Sequence, residues 1–252
     1  MAYALALALA RRNVRARYRG TLLGYVWLLL TPVVMAGAWV FLRRSGSIAF
    51  GNVGGSYPMY VATGMFLWQG FTRMLQSPLQ HFNASRHLLG KFRFPWEAIV
   101  LAAWLEVLLE FSVGTVVLAL ALWATGSVAG PAALAALPAA LLLLAFGGAL
   151  GLLAAPVGLL YEDVGRAIGL ALSLLFFLVP IVYPVGPSPL ARLAVVANPS
   201  SVFLVMARDL ALRGTTAWWS WGATYAVLTV VLLAAGFLLL RMARPHLASR
   251  VG

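Results

Sequence analysis

The chain has no cysteine and only three histidines among its 252 residues. Disulfide bonds and thiolate chemistry are therefore excluded. The HExxH and GxSxG patterns are also absent, so neither a zinc ion nor a serine nucleophile has the side chains it needs. Gly90-Lys91 is followed by Phe92 rather than Ser or Thr, which excludes a phosphate-binding loop. We expect no catalytic residues, metal or cofactor here; if nucleotide energy is used, another chain binds the nucleotide.

Charge is scarce as well. The chain has 18 Lys or Arg and six Asp or Glu, which is 10% of its residues, and it is 63% hydrophobic. A soluble domain normally carries about 25% charged residues. The net charge of +12 is concentrated in short segments beside apolar runs. That pattern indicates membrane topology and contact with anionic headgroups rather than binding to nucleic acid. The sequence predicts an all-α integral membrane protein.

The N-terminal region sets the orientation. Arg11–Arg19 contains five arginines and leads directly into Thr21–Leu42, a run of 22 residues without a charge. At roughly 1.5 Å per residue, such a run crosses a bilayer core of about 30 Å. Arginines beside a first span stay in the cytoplasm. Residues 1–20 are expected to form an amphipathic helix in the cytoplasmic interface, with a frayed terminus as the alternative.

Apolar runs separated by charged connectors predict six membrane spans and a single transmembrane domain over residues 1–252. The spans are expected at 21–42, 57–72, 98–123, 131–160, 165–185 and 217–240. With the N-terminus inside, thirteen Lys and Arg lie on the cytoplasmic side and five on the outer side. This bias favours an even number of spans, with both termini in the cytoplasm.

The connector at 186–216 faces outward in this topology and is moderately apolar. It contains an Asn198-Pro199 break and then a short helical pattern that ends at Gly214. Irregular backbone at membrane depth must be buried in protein, and half-helices that re-enter the membrane have this pattern. Pro180 and Pro184 precede the connector and favour a kink, so an outer gate is expected here. The alternative is that they are ordinary, tolerated membrane prolines.

Two acids, Glu106 and Glu110, share one face of the third predicted span, because they are four residues apart. Intramembrane carboxylates suggest a proton or cation relay. The alternative is that they pair with an arginine or with backbone where helices meet inside the bundle. No other acid lies in the middle of a span to continue a relay, which favours pairing.

Aromatic residues form stripes on several spans. Such stripes are commonly packing or interface anchors. The second hypothesis is a path for a sugar chain, because pyranose C–H faces pack on aromatic rings while Tyr and Trp can hydrogen-bond hydroxyls. Many weak contacts would let a polymer slide. The candidates are Tyr18, Tyr25, Trp27, Tyr60, Trp68, Phe71, Phe176, Phe177 and Tyr183.

Four segments together resemble a known family. They are RNVRARYRGTLLGYVWLLLTP (12–32), GMFLWQGF (64–71), GKFRFPWEA (90–98) and YEDVGRAIGLALSLLFFLVPIVYP (161–184). With the Asn198-Pro199 and Arg208-Asp209 region after them, they follow the order found in ABC-2 type permeases that export polysaccharides such as O-antigen, capsule or teichoic acid. Trp96 departs from the pattern, since relatives often carry Arg after the Phe-Pro pair.

The resemblance implies a homodimer of six-span subunits in the bacterial inner membrane. Each subunit would bind a separate cytoplasmic ATPase, which holds the ATP and magnesium, through a coupling helix at 77–89. Spans 1 and 5 would line the path and admit a lipid-linked substrate sideways. The implied coupling residues are Ser77, Gln80, His81, Asn83, Arg86, His87, Glu162 and Asp163, and the implied outer gate residues are Pro180, Pro184, Asn198, Pro199, Arg208 and Asp209.

Arg15, Arg17 and Arg19 lie where a polyprenyl pyrophosphate headgroup would enter. Arginine forks suit phosphate oxygens, although plain positive-inside anchoring explains them equally well. The main prediction is a permease without enzymatic activity of its own. Alternatives are an ABC-2 exporter of a small drug or lipid, a proton-coupled carrier using Glu106 and Glu110, and a membrane-embedded glycolipid transferase.

Overall fold

The computed structural model describes residues 6–13, 26–47, 51, 53–85 and 95–251, and it contains no strand within these ranges. Helix α1 covers residues 6–13. The later helices are α2 (Val26–Arg44), α3 (Tyr57–Ala84), α4 (Trp96–Ala124), a 3₁₀ turn (Gly130–Ala135) that continues into α5 (Ala136–Leu160), α6 (Asp163–Leu178), α7 (Pro189–Val196), α8 (Pro199–Arg213) and α9 (Trp219–Val251).

Three of these helical segments are long and apolar enough to cross a membrane: Trp96–Ala124, Gly130–Leu160 and Trp219–Pro245. The bent pair α7 and α8, with 104° between its axes, raises the number to four if it is counted as one span. A bent pair is the structure predicted for 186–216. Asn198 caps α8 by accepting a hydrogen bond from the Ser200 backbone N–H, and Pro199 begins the helix.

Helix α5 lies at the centre of the bundle and packs along α3, α9 and α8. Glycine allows α3 and α5 to approach closely. A Cβ at Gly151 would lie 2.2 Å from the Leu75 carbonyl oxygen, and one at Gly147 would lie 2.8 Å from that of Phe71. Small residues are enriched where membrane helices pack backbone to backbone. The core therefore sits between α3 and α5.

The N-terminal helix α1 packs on the first half of α4. Ala6 and Ala10 are fully buried in a small cluster with Ala98 and Ala102. Arg11 and Arg12 at the end of α1 are exposed. Residues 6–13 are therefore buried on one side. The interface location of residues 1–20 stays a prediction.

Two predicted boundaries differ from the structure. The span at 57–72 belongs to a helix that continues to Ala84, because Arg73 pairs with a carboxylate instead of marking the end of an apolar run. The predicted coupling helix therefore begins as the last two turns of α3, and residues 86–89 lie outside the described residues. The span at 165–185 is helical only to Leu178, since Pro180 cannot donate the helical hydrogen bond and the chain becomes irregular.

Candidate functional site

An open groove of about 400 Å³ lies between α3 and α6, and it contains three of the predicted path aromatics. Trp68 lies beside Phe176, with ring centroids 6.2 Å apart, and Phe176 meets Phe177 edge-on at 5.4 Å. The remaining lining residues are Thr72, Gln76, Gly169, Leu172 and Ser173. The groove thus combines aromatic faces with hydroxyl and amide groups.

Helix α6 has little cover within the described part of the chain. Leu172 is its only buried residue, whereas Leu174 and Phe177 are more than 60% exposed. A Cβ at Gly165 or Gly169 would meet no atom within 4 Å. One side of the groove is therefore formed by a largely exposed helix.

The other path candidates lie elsewhere. Phe71 is 1% exposed and does not line the groove; it stacks on Phe146 in the core between α3 and α5 and contacts the Trp68 ring from behind, with centroids 5.3 Å apart. Tyr60 lies at the start of α3 and Tyr183 lies after α6, and both donate their hydroxyls to backbone carbonyls. Tyr18, Tyr25 and the side chain of Trp27 lie outside the described residues.

The segment that follows α6 is held by side chains from α3 and α8. Arg208 Nη1 donates to the carbonyl oxygens of Pro180 and Ile181, at 2.7 and 3.1 Å. Tyr57 donates its hydroxyl to the Val182 carbonyl at 3.1 Å. Tyr60 does the same for Tyr183 at 3.0 Å. Four successive carbonyls thus receive side-chain donors, which satisfies backbone that a helix would otherwise pair internally.

Arg208 is the link between α8 and this segment. Its side chain is 1% exposed, and its guanidinium lies 3.7 Å from the centroid of the Tyr60 ring. Gly64 leaves the space, because a Cβ there would lie 2.5 Å from the Ile181 carbonyl oxygen. The structure therefore brings together Pro180 and Arg208, two of the residues predicted for the outer gate. Pro184 and Asp209 line a neighbouring cavity with Arg208, and Asn198 and Pro199 begin α8.

Both intramembrane acids are paired. Glu110 Oε2 lies 2.6 Å from Arg73 Nη1 on α3. Glu106 Oε1 accepts from Asn13 at 2.8 Å and lies 2.9 Å from His81 Nε2. Glu106 is 1% exposed and Glu110 is 7% exposed, and a buried carboxylate is tolerated only when it is paired. Of the two alternatives in the sequence, helix–helix pairing is the one observed.

The predicted coupling residues fall into two groups. Ser77 is buried and bonds within α3, and His81 turns inward to Glu106. Gln80 and Asn83 are exposed at the end of α3, and Glu162 and Asp163 are exposed at the start of α6. These two helix ends lie close together, because a Cβ at Gly158 would touch both Leu79 and Val164. Arg86, His87 and the arginines Arg15, Arg17 and Arg19 lie outside the described residues.

Comparison with known proteins gives consistent matches. The family described as ABC-2 type transporter matches residues 4–212. The O-antigen export system permease protein RfbA of Klebsiella pneumoniae is 24% identical over 218 residues, which cover 84% of this chain and 81% of that protein. The protein of the same name from Myxococcus xanthus is 26% identical over 188 residues, or 72% and 69% of the two chains. The family match covers most of the sequence, and the chain therefore belongs to the ABC-2 type transporter family.

Proposed function

We propose that this chain is the permease subunit of an ATP-driven exporter that moves a lipid-linked polysaccharide from the cytoplasmic side across the bacterial inner membrane. The two relatives compared above are both named O-antigen export permeases, and they match most of the chain. In this account the chain has no enzymatic activity of its own, and a separate subunit hydrolyses the ATP.

The observation that carries the proposal is the groove between α3 and α6. Trp68, Phe176 and Phe177 offer ring faces for the C–H surfaces of sugars, and Thr72, Gln76 and Ser173 offer hydrogen bonds for their hydroxyls. Such contacts are individually weak, so a glycan can bind and still move on. We therefore assign the path to this groove rather than to the whole set of aromatic residues, and the O-antigen, capsule and teichoic-acid classes all have this chemistry.

The exposed face of α6 supports a homodimer. Polar groups such as Gln76 and Ser173 are costly to expose to lipid, and a second copy would cover them while leaving a wet path between the subunits. Gly165 and Gly169 have open space at their Cβ positions and would allow the two α6 helices to approach closely.

The full topology of the proposal has six spans and cytoplasmic termini. It places α1 and the arginines after it at the inner interface, which follows from the thirteen-to-five distribution of Lys and Arg. Arg15, Arg17 and Arg19 would then lie at the entry of the polyprenyl pyrophosphate headgroup, where guanidinium groups suit phosphate oxygens.

Two copies of an ATPase subunit, each with ATP and magnesium, are the proposed cytoplasmic partners. Gln80, Asn83, Glu162 and Asp163 form an exposed polar surface at one end of the bundle, with Arg86 and His87 next in the sequence. Closure of the ATPase would push this surface and rock the subunits as rigid bodies around the path.

The alternatives have less support. A proton-coupled carrier would rest on Glu106 and Glu110, but the pairing of Glu110 with Arg73 and of Glu106 with His81 and Asn13 favours a structural role for both. An ABC-2 exporter of a small drug or lipid shares the family, but the relatives compared above are named O-antigen export permeases.

A pull-down from native membranes tests the proposal. The tagged chain is purified in mild detergent, and every protein that co-purifies is identified. We expect a stoichiometric ATPase with a phosphate-binding loop, in a complex with two copies of the permease. A chain that purifies without any ATPase would contradict the proposal and favour the proton-coupled carrier.

A further inference from the structure

A second cavity, of about 600 Å³, lies at the end of the bundle that carries α7 and α8. Its walls come from α3, the segment after α6, α7, α8 and the approach to α9. The lining residues are Tyr60, Pro184, Val185, Gly186, Pro187, Arg192, Val205, Arg208, Asp209, Arg213, Thr215, Thr216, Ala217 and Trp218. Ligand sites in proteins have volumes of roughly 300–1,000 Å³, and this cavity falls within that range.

The cavity is strongly cationic. Arg192, Arg208 and Arg213 line it, and Asp209 is the only acid among the lining residues. Asp209 lies 3.6 Å from Arg213 Nη1 and offsets part of its charge, and Arg213 Nη2 donates to the Val53 carbonyl at 2.8 Å. Arg192 is exposed, and two positive charges remain in excess over the acid. In a chain where charge is rare, such a concentration favours a negatively charged ligand.

Arg208 adds a buried positive charge beside the cavity. Its Nη1 is occupied by the carbonyls of Pro180 and Ile181, but its buried Nε–H has no hydrogen-bond partner among the described residues. A buried charged group normally uses its donors, because each unsatisfied one costs free energy. The Nε atom is fully buried and has no surface in the cavity, so Arg208 contributes positive charge there rather than a hydrogen bond to a ligand.

The rest of the lining suits a sugar. Thr215 and Thr216 contribute hydroxyls, and Trp218 contributes an aromatic face beside them. Arginine forks bind carboxylate and phosphate oxygens with two parallel hydrogen bonds. Cationic and hydroxyl groups beside one aromatic ring match a sugar that carries an acidic substituent better than they match a neutral one.

We infer that this cavity is an exit site that binds an acidic sugar unit, a uronic acid or a sugar phosphate, as the glycan leaves the path. The inference rests on the proposed function and narrows it to glycans that contain anionic units. Arg192 binds the anionic group, Arg208 and Arg213 add positive charge beside it, and Trp218 packs on the ring. The site lies beside the segment held by Arg208, so an emerging chain meets it next to the outer gate.

Direct binding to the purified permease tests the inference. The protein is placed in nanodiscs of phosphatidylcholine and titrated with glucuronic acid, glucose 1-phosphate or glucose, using saturation-transfer NMR. We expect saturable binding of both acids and none of glucose. The double variant Arg192→Gln/Arg213→Gln should bind the acids about tenfold more weakly, since it removes two of the three positive charges. The variant Asp209→Asn should bind them more tightly and provides a readout if the double variant fails to fold.

The matched control is Arg44→Gln, an exposed arginine at the end of α2 that does not line the cavity, and it should bind like the wild type. Equal binding of glucose and glucuronic acid, or wild-type binding by the double variant, would overturn the inference. Loss of binding when phosphatidylglycerol is added to the nanodisc would also overturn it, because the site would then take a lipid headgroup. The titration needs no ATPase and no transport, so its result is independent of the pull-down.

Discussion

Arg208 Nη1 lies 2.7 Å from the carbonyl oxygen of Pro180, a hydrogen bond that joins α8 to the end of α6. The chain is irregular after Leu178, so its carbonyls have no helical donors and need partners from elsewhere. In this protein the donor comes from a buried arginine on a bent, re-entrant-like pair of helices. A displacement of α8 would therefore break the hydrogen bonds that hold the segment after α6.

This relationship predicts the effect of Arg208→Met. Two buried carbonyls lose their donor, at a cost of about 1–3 kcal/mol each, and the cation–π contact with Tyr60 is lost as well. Tyr57→Phe removes one donor and should cost about 1 kcal/mol. Thermal unfolding in detergent should therefore rank wild type above Tyr57→Phe, and Tyr57→Phe above Arg208→Met. An Arg208→Met variant as stable as the wild type would show that the segment is held by other means.

The pair Arg73–Glu110 gives a second prediction. Replacing Glu110 by Leu leaves a partly buried arginine without its partner and should destabilise the protein by about 2 kcal/mol. The double variant Arg73→Met/Glu110→Leu should recover part of that loss, because neither charge is then stranded. Chemical unfolding of the purified variants measures both effects.

The same acid separates the transport hypotheses. Glu110→Gln keeps the shape and removes the ionisable group. Glycan export per amount of folded permease should therefore equal that of the wild type. Export abolished at normal permease abundance would instead indicate that a proton moves through Glu110.

The α6 face predicts a variant that folds but does not assemble. Gly169→Leu places a large side chain where the protomer has open space, so the protomer should remain as stable as the wild type. The close approach of the two α6 helices is blocked, and the mass in detergent should fall from dimer to monomer. Gly151→Ala is the contrasting variant, since its Cβ would lie 2.2 Å from the Leu75 carbonyl and should damage the fold itself. A Gly169→Leu protein that remains dimeric would move the interface to another face.

The groove predicts different effects for alanine substitutions at Phe177 and Phe71. Phe177 is 66% exposed and lines the groove, so Phe177→Ala should reduce export several-fold without changing permease abundance. Phe71 is buried, and Phe71→Ala should cost about 3–5 kcal/mol and lower abundance instead. Surface glycan divided by permease amount distinguishes the two effects. Normal specific export by Phe177→Ala would remove this residue from the path.

Local signals in the sequence were sufficient to predict several features. The Asn198-Pro199 break is a local helix-start signal, and α7 and α8 are bent by 104° about it. The apolar runs near α4, α5 and α9 predicted those helices to within a few residues, except that α9 continues past Leu240 to Val251. These features depend only on neighbouring residues.

Features that depend on distant partners were missed. Arg73 was expected in a connector, because nothing local shows that Glu110, 37 positions away, would pair with it. For the same reason the sequence does not predict that His81 lies against Glu106. The cationic cavity joins Arg192, Arg213 and Trp218 only through the fold, so no local motif could reveal it. The one available signal was the rarity of charge, which makes every intramembrane arginine a candidate for pairing.

The most direct test of the central claim is the fate of the glycan when the gene for this chain is deleted from its bacterial host. Surface polysaccharide and cytoplasmic lipid-linked polysaccharide are measured in the deletion strain, with and without a plasmid copy of the gene. The account predicts that the surface glycan disappears, that its lipid-linked form accumulates inside, and that the plasmid copy reverses both changes. Unchanged surface polysaccharide, with no lipid-linked form accumulating inside, would contradict it.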